Sequence, residues 1–238
     1  MLILFDIDAT LLTSGGVGIT AMGRAGRELF GDHFNERSVE YAGRLDPLII
    51  GDLLRAHELE VSADAVQSFR EGYGRHLRAL LDESNTARPC PGVPALLDRF
   101  DAHEHIVLGL LTGNFPETGQ VKLRAGGIDP DRFEIRVWGS DSPHDPPARE
   151  HLPGVGIARF HERFDRAING EHVVVIGDTP HDISCARAHA CSSIGVGTGR
   201  FTPAELTNAG ADLAVDDLSD VAMIGEWIED RLGARSAP

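Results

Sequence analysis

Three short apolar runs in this chain each stop at a residue that carries chemistry. Leu2-Ile3-Leu4-Phe5 stops at Asp6, residues 106–111 stop at Thr112, and residues 173–176 stop at Gly177-Asp178. A half-exposed strand alternates apolar and polar residues. An uninterrupted apolar run reads instead as a strand buried on both faces, as in a parallel sheet covered by helices. Residues 193–196 and 212–215 are weaker versions, and 134–138 reads as a further strand. Helical patterns lie between the runs, at 93–100, 120–125 and 183–190. Strand and helix in alternation predict a doubly wound parallel α/β domain of Rossmann-like type.

Residues 18–83 break the alternation, with helical patterning and no strand. Val66, Phe69, Tyr73, Leu77, Leu80 and Leu81 follow the three-to-four spacing of an amphipathic helix. Asp46-Pro47 reads as an N-cap followed by proline at the first helical position. Turn formers bracket the region at 14–18 and 84–92. The expected organisation is an α/β core of residues 1–14 and 88–238 with a smaller helical module, residues 15–87, inserted into it. Gly15, Gly16 and Gly18 fit one hinge and residues 85–91 the other. Residues 233–238 read as a frayed tail.

Composition narrows the function. Lys+Arg 22 against Asp+Glu 37 gives a net charge of −15, which repels phosphate backbones and argues against nucleic acid as a partner. No apolar run approaches the ~20 residues of a membrane span, and the start lacks the basic flank of a signal peptide. Cys90, Cys185 and Cys191 are odd in number and unclustered, which argues against a disulfide framework or a zinc site and fits the cytoplasm. Lys122 is the only lysine.

In open α/β sheets ligands bind beyond the carboxyl ends of the strands. With the three main strands as neighbours, Asp6, Asp8, Asp178 and Asp182 bring four carboxylates, and two hydroxyls, to one crevice. Carboxylates that close repel one another, and a divalent cation is the simplest remedy. An all-oxygen donor set suits Mg²⁺. Each acid alone also has a plainer reading, since Asp after a strand is often a turn or helix cap, as Asp182 would be for the helix near Ile183.

The ordered segments Asp6-Ile7-Asp8-Ala9-Thr10, Thr112-Gly113-Asn114 and Gly177-Asp178-Thr179-Pro180-His181-Asp182 resemble motifs one, two and four of the haloacid dehalogenase superfamily, in its phosphoglycolate phosphatase-like branch. The helical insert resembles that family's type-one cap. The resemblance implies Asp6 as nucleophile and Asp8 as general acid/base, two residues along one strand and pointing the same way. It implies Mg²⁺ on the Asp6 carboxylate, the Asp8 carbonyl and the Asp178 carboxylate, with Asp182 nearby. Thr112, Gly113 and Asn114 would hold the phosphoryl group, and Arg44, in a Gly-Arg cap loop, would read the substrate.

Two positions depart from the family pattern. Ala9 stands where glycine is usual. The third-motif cation, usually lysine, is better matched by Arg149 than by Lys122, which comes early and in a helix where lysines are ordinarily solvated. The implied activity is hydrolysis of a small phosphorylated metabolite. A phosphomutase is the alternative, and a 2-haloacid dehalogenase or a non-catalytic phosphate-binding module fits less well.

Overall fold

All four side chains of β1 (Leu2–Phe5) are shielded from water, and the two-residue period of a strand sends them alternately to opposite faces. Ile3 and Phe5 enter one apolar layer with Leu96, Phe100 and Ile224, while Leu2 and Leu4 enter another with Leu152, Phe160 and Cys185. An apolar run without alternation is what two covered faces require. Burial of these four side chains contributes on the order of 10 kcal/mol.

The computed structural model describes residues 1–84 and 86–234. After β1 come β2 (Leu12–Thr13), β3 (Arg88–Pro89), β4 (Val107–Leu111), β5 (Ile135–Val137), β6 (Val173–Gly177), β7 (Ser192–Val196) and β8 (Leu213–Val215). Six of them form one parallel sheet in the order β5-β4-β1-β6-β7-β8. The strand order turns back on itself at β1, which makes the sheet doubly wound.

Three helices, α1 (Val17–Phe30), α2 (Asp46–Ala56) and α3 (Ala63–Ser84), lie in the chain between β2 and β3. The core helices are α4 (Val93–Asp101), α5 (Pro116–Ala125), α6 (Leu152–Phe164), α7 (Pro180–Ala188), α8 (Pro203–Asn208) and α9 (Val221–Ala234). Apolar residues of α4, α5 and α9 cover one face of the sheet, and those of α6 and α7 cover the other. Helix α9 continues through Ala234, so Gly233 and Ala234 are helical where a tail was expected, and residues 235–238 lie outside the described residues.

Helices α1 to α3 enclose an apolar cluster of their own, with Met22, Ala25, Leu53, Phe69, Tyr73 and Leu77 inside. Gly72 of α3 lets α1 approach closely, since a Cβ there would stand 3.2 Å from that of Ala25. The N-cap of α2 is Leu45, and Asp46 is its first helical residue. Asp46 does not cap its own helix. Its carboxylate accepts hydrogen bonds from the Phe115 N–H at 3.2 Å and the Thr118 hydroxyl at 3.4 Å, across to α5.

The chain leaves for α1 and returns from α3 through a tied junction. β2 and β3 pair antiparallel, Leu12 with Pro89 and Thr13 with Arg88. The Thr86 hydroxyl donates to the Ser14 carbonyl at 3.0 Å. Gly15 and Gly16, at φ 65 and 79, stand outside this pairing, and Gly18, expected with them, is already inside α1. Asn85, in the return segment, lies outside the described residues.

Gly92 holds the turn into α4 at φ 81, and a Cβ there would meet the Leu218 carbonyl oxygen at 1.9 Å. Gly92→Ala is expected to cost about 3 kcal/mol of unfolding free energy in urea titrations. Gly74→Ala, mid-helix with nothing within 4 Å of the added methyl, should be neutral or gain up to about 1 kcal/mol. Equal effects of the two would refute this account.

Candidate active site

Parallel pairing sets three strand ends level. Phe5 lies opposite Leu110 of β4 and Ile176 of β6, so Asp6, Thr112 and Asp178 emerge side by side. All three line one cavity of about 320 Å³ between the sheet and helices α1 to α3. Asp8, Gly113, Asn114, Arg149 and Arg44 line it as well. β1 ends at Phe5, so Asp6 and Asp8 stand in the turn beyond the strand, not on it. Asp8 bridges to Leu12 within that turn. They differ in exposure, with the Asp6 side chain 8% exposed and that of Asp8 44%.

One carboxylate oxygen from each of Asp6, Asp178 and Asp182 lies within 4.8 Å of the others. The guanidinium of Arg149, in a single turn of 3₁₀ helix (Arg149–His151), reaches Asp182 at 2.5 Å and Asp6 at 3.1 Å. Arg149 is therefore a buried cation of the site. Asp182 is held on both oxygens. Oδ1 takes Arg149, and Oδ2 takes the Thr179 N–H at 3.0 Å and its hydroxyl at 2.7 Å, a capping box at the start of α7. It is a helix cap and a member of the acidic cluster at once.

Three carboxylates against one guanidinium leave buried negative charge unmatched. Burial pushes the Asp178 carboxyl up to about 8, with Asp182 and Asp6 adding to it and Arg149 opposing. Burial likewise raises Asp6 to about 6, against Arg149. This donor set fits a hard divalent cation: every donor is oxygen, and Asp178 has no side-chain partner to displace among the described residues. Gly199 makes room for the Asp178 carboxylate itself, since a Cβ there would stand 1.8 Å from it.

Lys122 is not solvated. It is 4% exposed, and its ammonium donates to Asp8 Oδ2 and Asn114 Oδ1, each at 2.6 Å. Burial works against its charge, but Asp8, Tyr73 and Asp46 outweigh it and hold its pKa above the ordinary lysine value. The Asn114 amide donates to Asp8 Oδ2 and Thr112 Oγ1, both at 2.8 Å. Asn114 thus links the second strand end to Asp8. Thr118 and Lys122 are four residues apart and share a helix face, a spacing that could have flagged Lys122 in the sequence. Nothing in the sequence marks Gly199 or the reach of Asp46 to α5.

Arg44 pairs with Asp52 at 2.5 Å. Its loop presses backbone onto the strand ends. The Asp46 N–H donates to the Gly113 carbonyl at 2.7 Å. A Cβ on Gly113 would stand 2.0 Å from the Arg44 carbonyl oxygen, and Gly43, at φ 68, is closed in by Thr179 and His181. Ala9 holds φ 58, a left-handed conformation that costs alanine about 1–2 kcal/mol. The turn is kept by the Ala9 N–H on Leu12 at 2.8 Å and by the Thr198 hydroxyl on the Ala9 carbonyl.

Two measurements test these assignments. Lys122→Met strips a buried partner from Asp8 and Asn114 and should cost about 3 kcal/mol of stability. Adding Asp8→Asn should recover part of that loss in a double-mutant cycle. Burial also raises Asp46 to about 7, opposed by Lys122. A carboxyl raised on folding stabilises most below its unfolded pKa and loses that contribution as pH rises through the folded value. Wild type should therefore lose more stability than Asp46→Asn between pH 5 and 8.5 in EDTA, by up to a few kcal/mol at ~1.4 kcal/mol per unit. Parallel profiles would refute it.

The family model described as haloacid dehalogenase-like hydrolase matches residues 1–190, and a second one, HAD-hydrolase-like, matches 153–236. No curated protein matches the chain. Among solved structures, a predicted phosphoglycolate phosphatase from Haemophilus somnus is 21% identical with TM-score 0.70, over 94% of this chain and 97% of that one. CbbY from Rhodobacter sphaeroides, in complex with xylulose-(1,5)bisphosphate, is 19% identical with TM-score 0.74, over 92% and 95%. β-Phosphoglucomutase from Clostridium difficile is 18% identical with TM-score 0.70, over 98% and 97%. At these identities the likeness is one of fold. The family match over most of the chain, on a doubly wound sheet with its acids at the strand ends, makes this protein a member of the haloacid dehalogenase-like hydrolases.

Proposed function

We propose that the chain is a Mg²⁺-dependent phosphatase that hydrolyses a small phosphomonoester through an aspartyl phosphate on Asp6. The observation that carries this reading is the clustering of Asp6, Asp178 and Asp182 within 4.8 Å, beside Thr112 and Asp8 at one cavity. Asp6 and Asp178, with the Asp8 carbonyl, would hold the ion. Bound there, Mg²⁺ would neutralise charge on the phosphoryl oxygens and on the acids around them.

The protein's own groups divide the remaining work. Asp6 attacks phosphorus, and the bond to the leaving alcohol breaks in line with the attack. Asp8 gives that oxygen its proton, then takes one from the water that releases inorganic phosphate from Asp6. Both partners of Asp8, Lys122 and Asn114, sit on Oδ2. Oδ1 carries none among the described residues and is the atom free to exchange that proton. The Thr112 hydroxyl and the Gly113 N–H, which has no partner among the described residues, hold phosphoryl oxygens. Arg149 steadies Asp6 and Asp182 as fixed charge.

In this reading residues 15–87 act as a cap that excludes water when docked on the strand ends. The buried free thiols of Cys90, Cys185 and Cys191 fit a reducing cytoplasm. A phosphomutase would use the same aspartyl phosphate as donor to a second hydroxyl.

Phosphate release from simple phosphomonoesters should require Mg²⁺, stop in EDTA, and fall at least about 10³-fold in Asp6→Asn, with the variant's thermal unfolding near that of wild type. Turnover that survives Asp6→Asn would refute the mechanism. Product formation that depends on an added sugar bisphosphate would favour the mutase.

A further inference from the structure

The cavity has two chemically different walls. The strand ends supply its charged floor, α1, α2, the loop between them and Tyr73 of α3 supply its roof, and Thr13, Ser14 and Arg200 (the last on Glu40 at 3.1 Å) stand at its rim. From the roof, Ile19, Met22, Ala42 and Ile49 line the cavity. Ile19 is 36% exposed, one of few large apolar side chains so open to water among the described residues. The polar side chains of the roof are turned to other partners. The Tyr41 hydroxyl donates to the Glu36 carbonyl at 2.6 Å, and Arg44 is on Asp52 at 2.5 Å. Asp46 accepts from Phe115 and Thr118, and Tyr73 is buried against Lys122.

Resting on the phosphatase reading above, we propose that the leaving group is a short alcohol with an apolar carbon body, alkyl or aryl, and not a polyhydroxylated sugar or a carboxylate-bearing acid. A site that selects a polyol needs polar groups aimed at its hydroxyls, and a hydroxyl left unpaired against an apolar wall loses its water without replacement. The roof gives such hydroxyls Ile19, Met22 and Ile49. A short alkyl chain placed there covers Ile19 and gains from its burial. At about 320 Å³ the cavity is near the small end of ligand sites, so a phosphoryl group leaves room only for a short chain.

The test compares kcat/KM for methyl and butyl phosphate with glycerol 1-phosphate, phosphoglycolate and glucose 6-phosphate, all with Mg²⁺. Butyl phosphate should exceed methyl phosphate about tenfold. It should also exceed glycerol 1-phosphate, although butanol is the poorer leaving group of that pair, so the preference would report contact with the roof. Ile19→Asn should lower the butyl-to-methyl ratio about tenfold. Glycerol, glycolate or sugar esters cleaved as well as butyl phosphate, or a ratio unmoved by Ile19→Asn, would overturn this inference and leave the phosphatase reading in place. Release from none of the esters would overturn both.

Discussion

Parallel pairing of β1 with β4 on one side and β6 on the other is the constraint that creates the site. The register sets Phe5 level with Leu110 and Ile176, and the residues just beyond these strand ends must share one crevice. Those residues include Asp6, Asp8 and Asp178, so the pairing that buries the apolar runs also brings like charges together. The apolar layers on both faces hold the strands in that register, because a slip of one residue would turn Leu2 and Leu4 out of their layer. Packing that contributes on the order of 10 kcal/mol from β1 alone is large enough to impose this repulsion.

The helical insert docks through a backbone hydrogen bond and a set of side-chain contacts around the start of α5. Asp46 donates its N–H to Gly113 and accepts from Phe115 and Thr118, so it ties the start of α2 to the start of α5. Arg70 of α3 adds a two-pronged ion pair to Glu117, at 2.5 and 2.8 Å, with its guanidinium over the Phe115 ring. Gly43 and Gly113 then become necessary, because a methyl on either would collide with the opposite wall. Closure to this depth requires glycine on both sides of the seam.

Much of this is legible in the sequence, for a physical reason. An apolar run ending in an acid records burial and strand direction together, so the sheet, the helical insert and the three strand ends can be read from patterns. Asp8 lies off the strand that the pattern assigns it to, because nothing in Asp-Ile-Asp marks where pairing stops. Lys122 is buried against expectation because a lysine's burial depends on the side chains opposite it, here Asp8 and Asn114 from other elements. Gly199 gives no signal at all. Its role is to leave space where the Asp178 carboxylate lies, and that juxtaposition spans two loops.

The two buried cations divide the acids between them. Arg149 comes from the loop after β5 and touches Asp6 and Asp182, while Lys122 comes from α5 and touches Asp8. Each therefore acts on one member of the Asp6–Asp8 pair and not on the other. Asp6 is deeply buried with burial opposing its charge, and Asp8 stands half in solvent with the Lys122 ammonium on one of its oxygens. Identical side chains two residues apart thus meet unlike surroundings, Asp6 between Arg149 and the other buried acids and Asp8 at the open side of the cavity beside Lys122 and Asn114. The sequence supplies two aspartates. The fold makes them different by bringing a different cation to each.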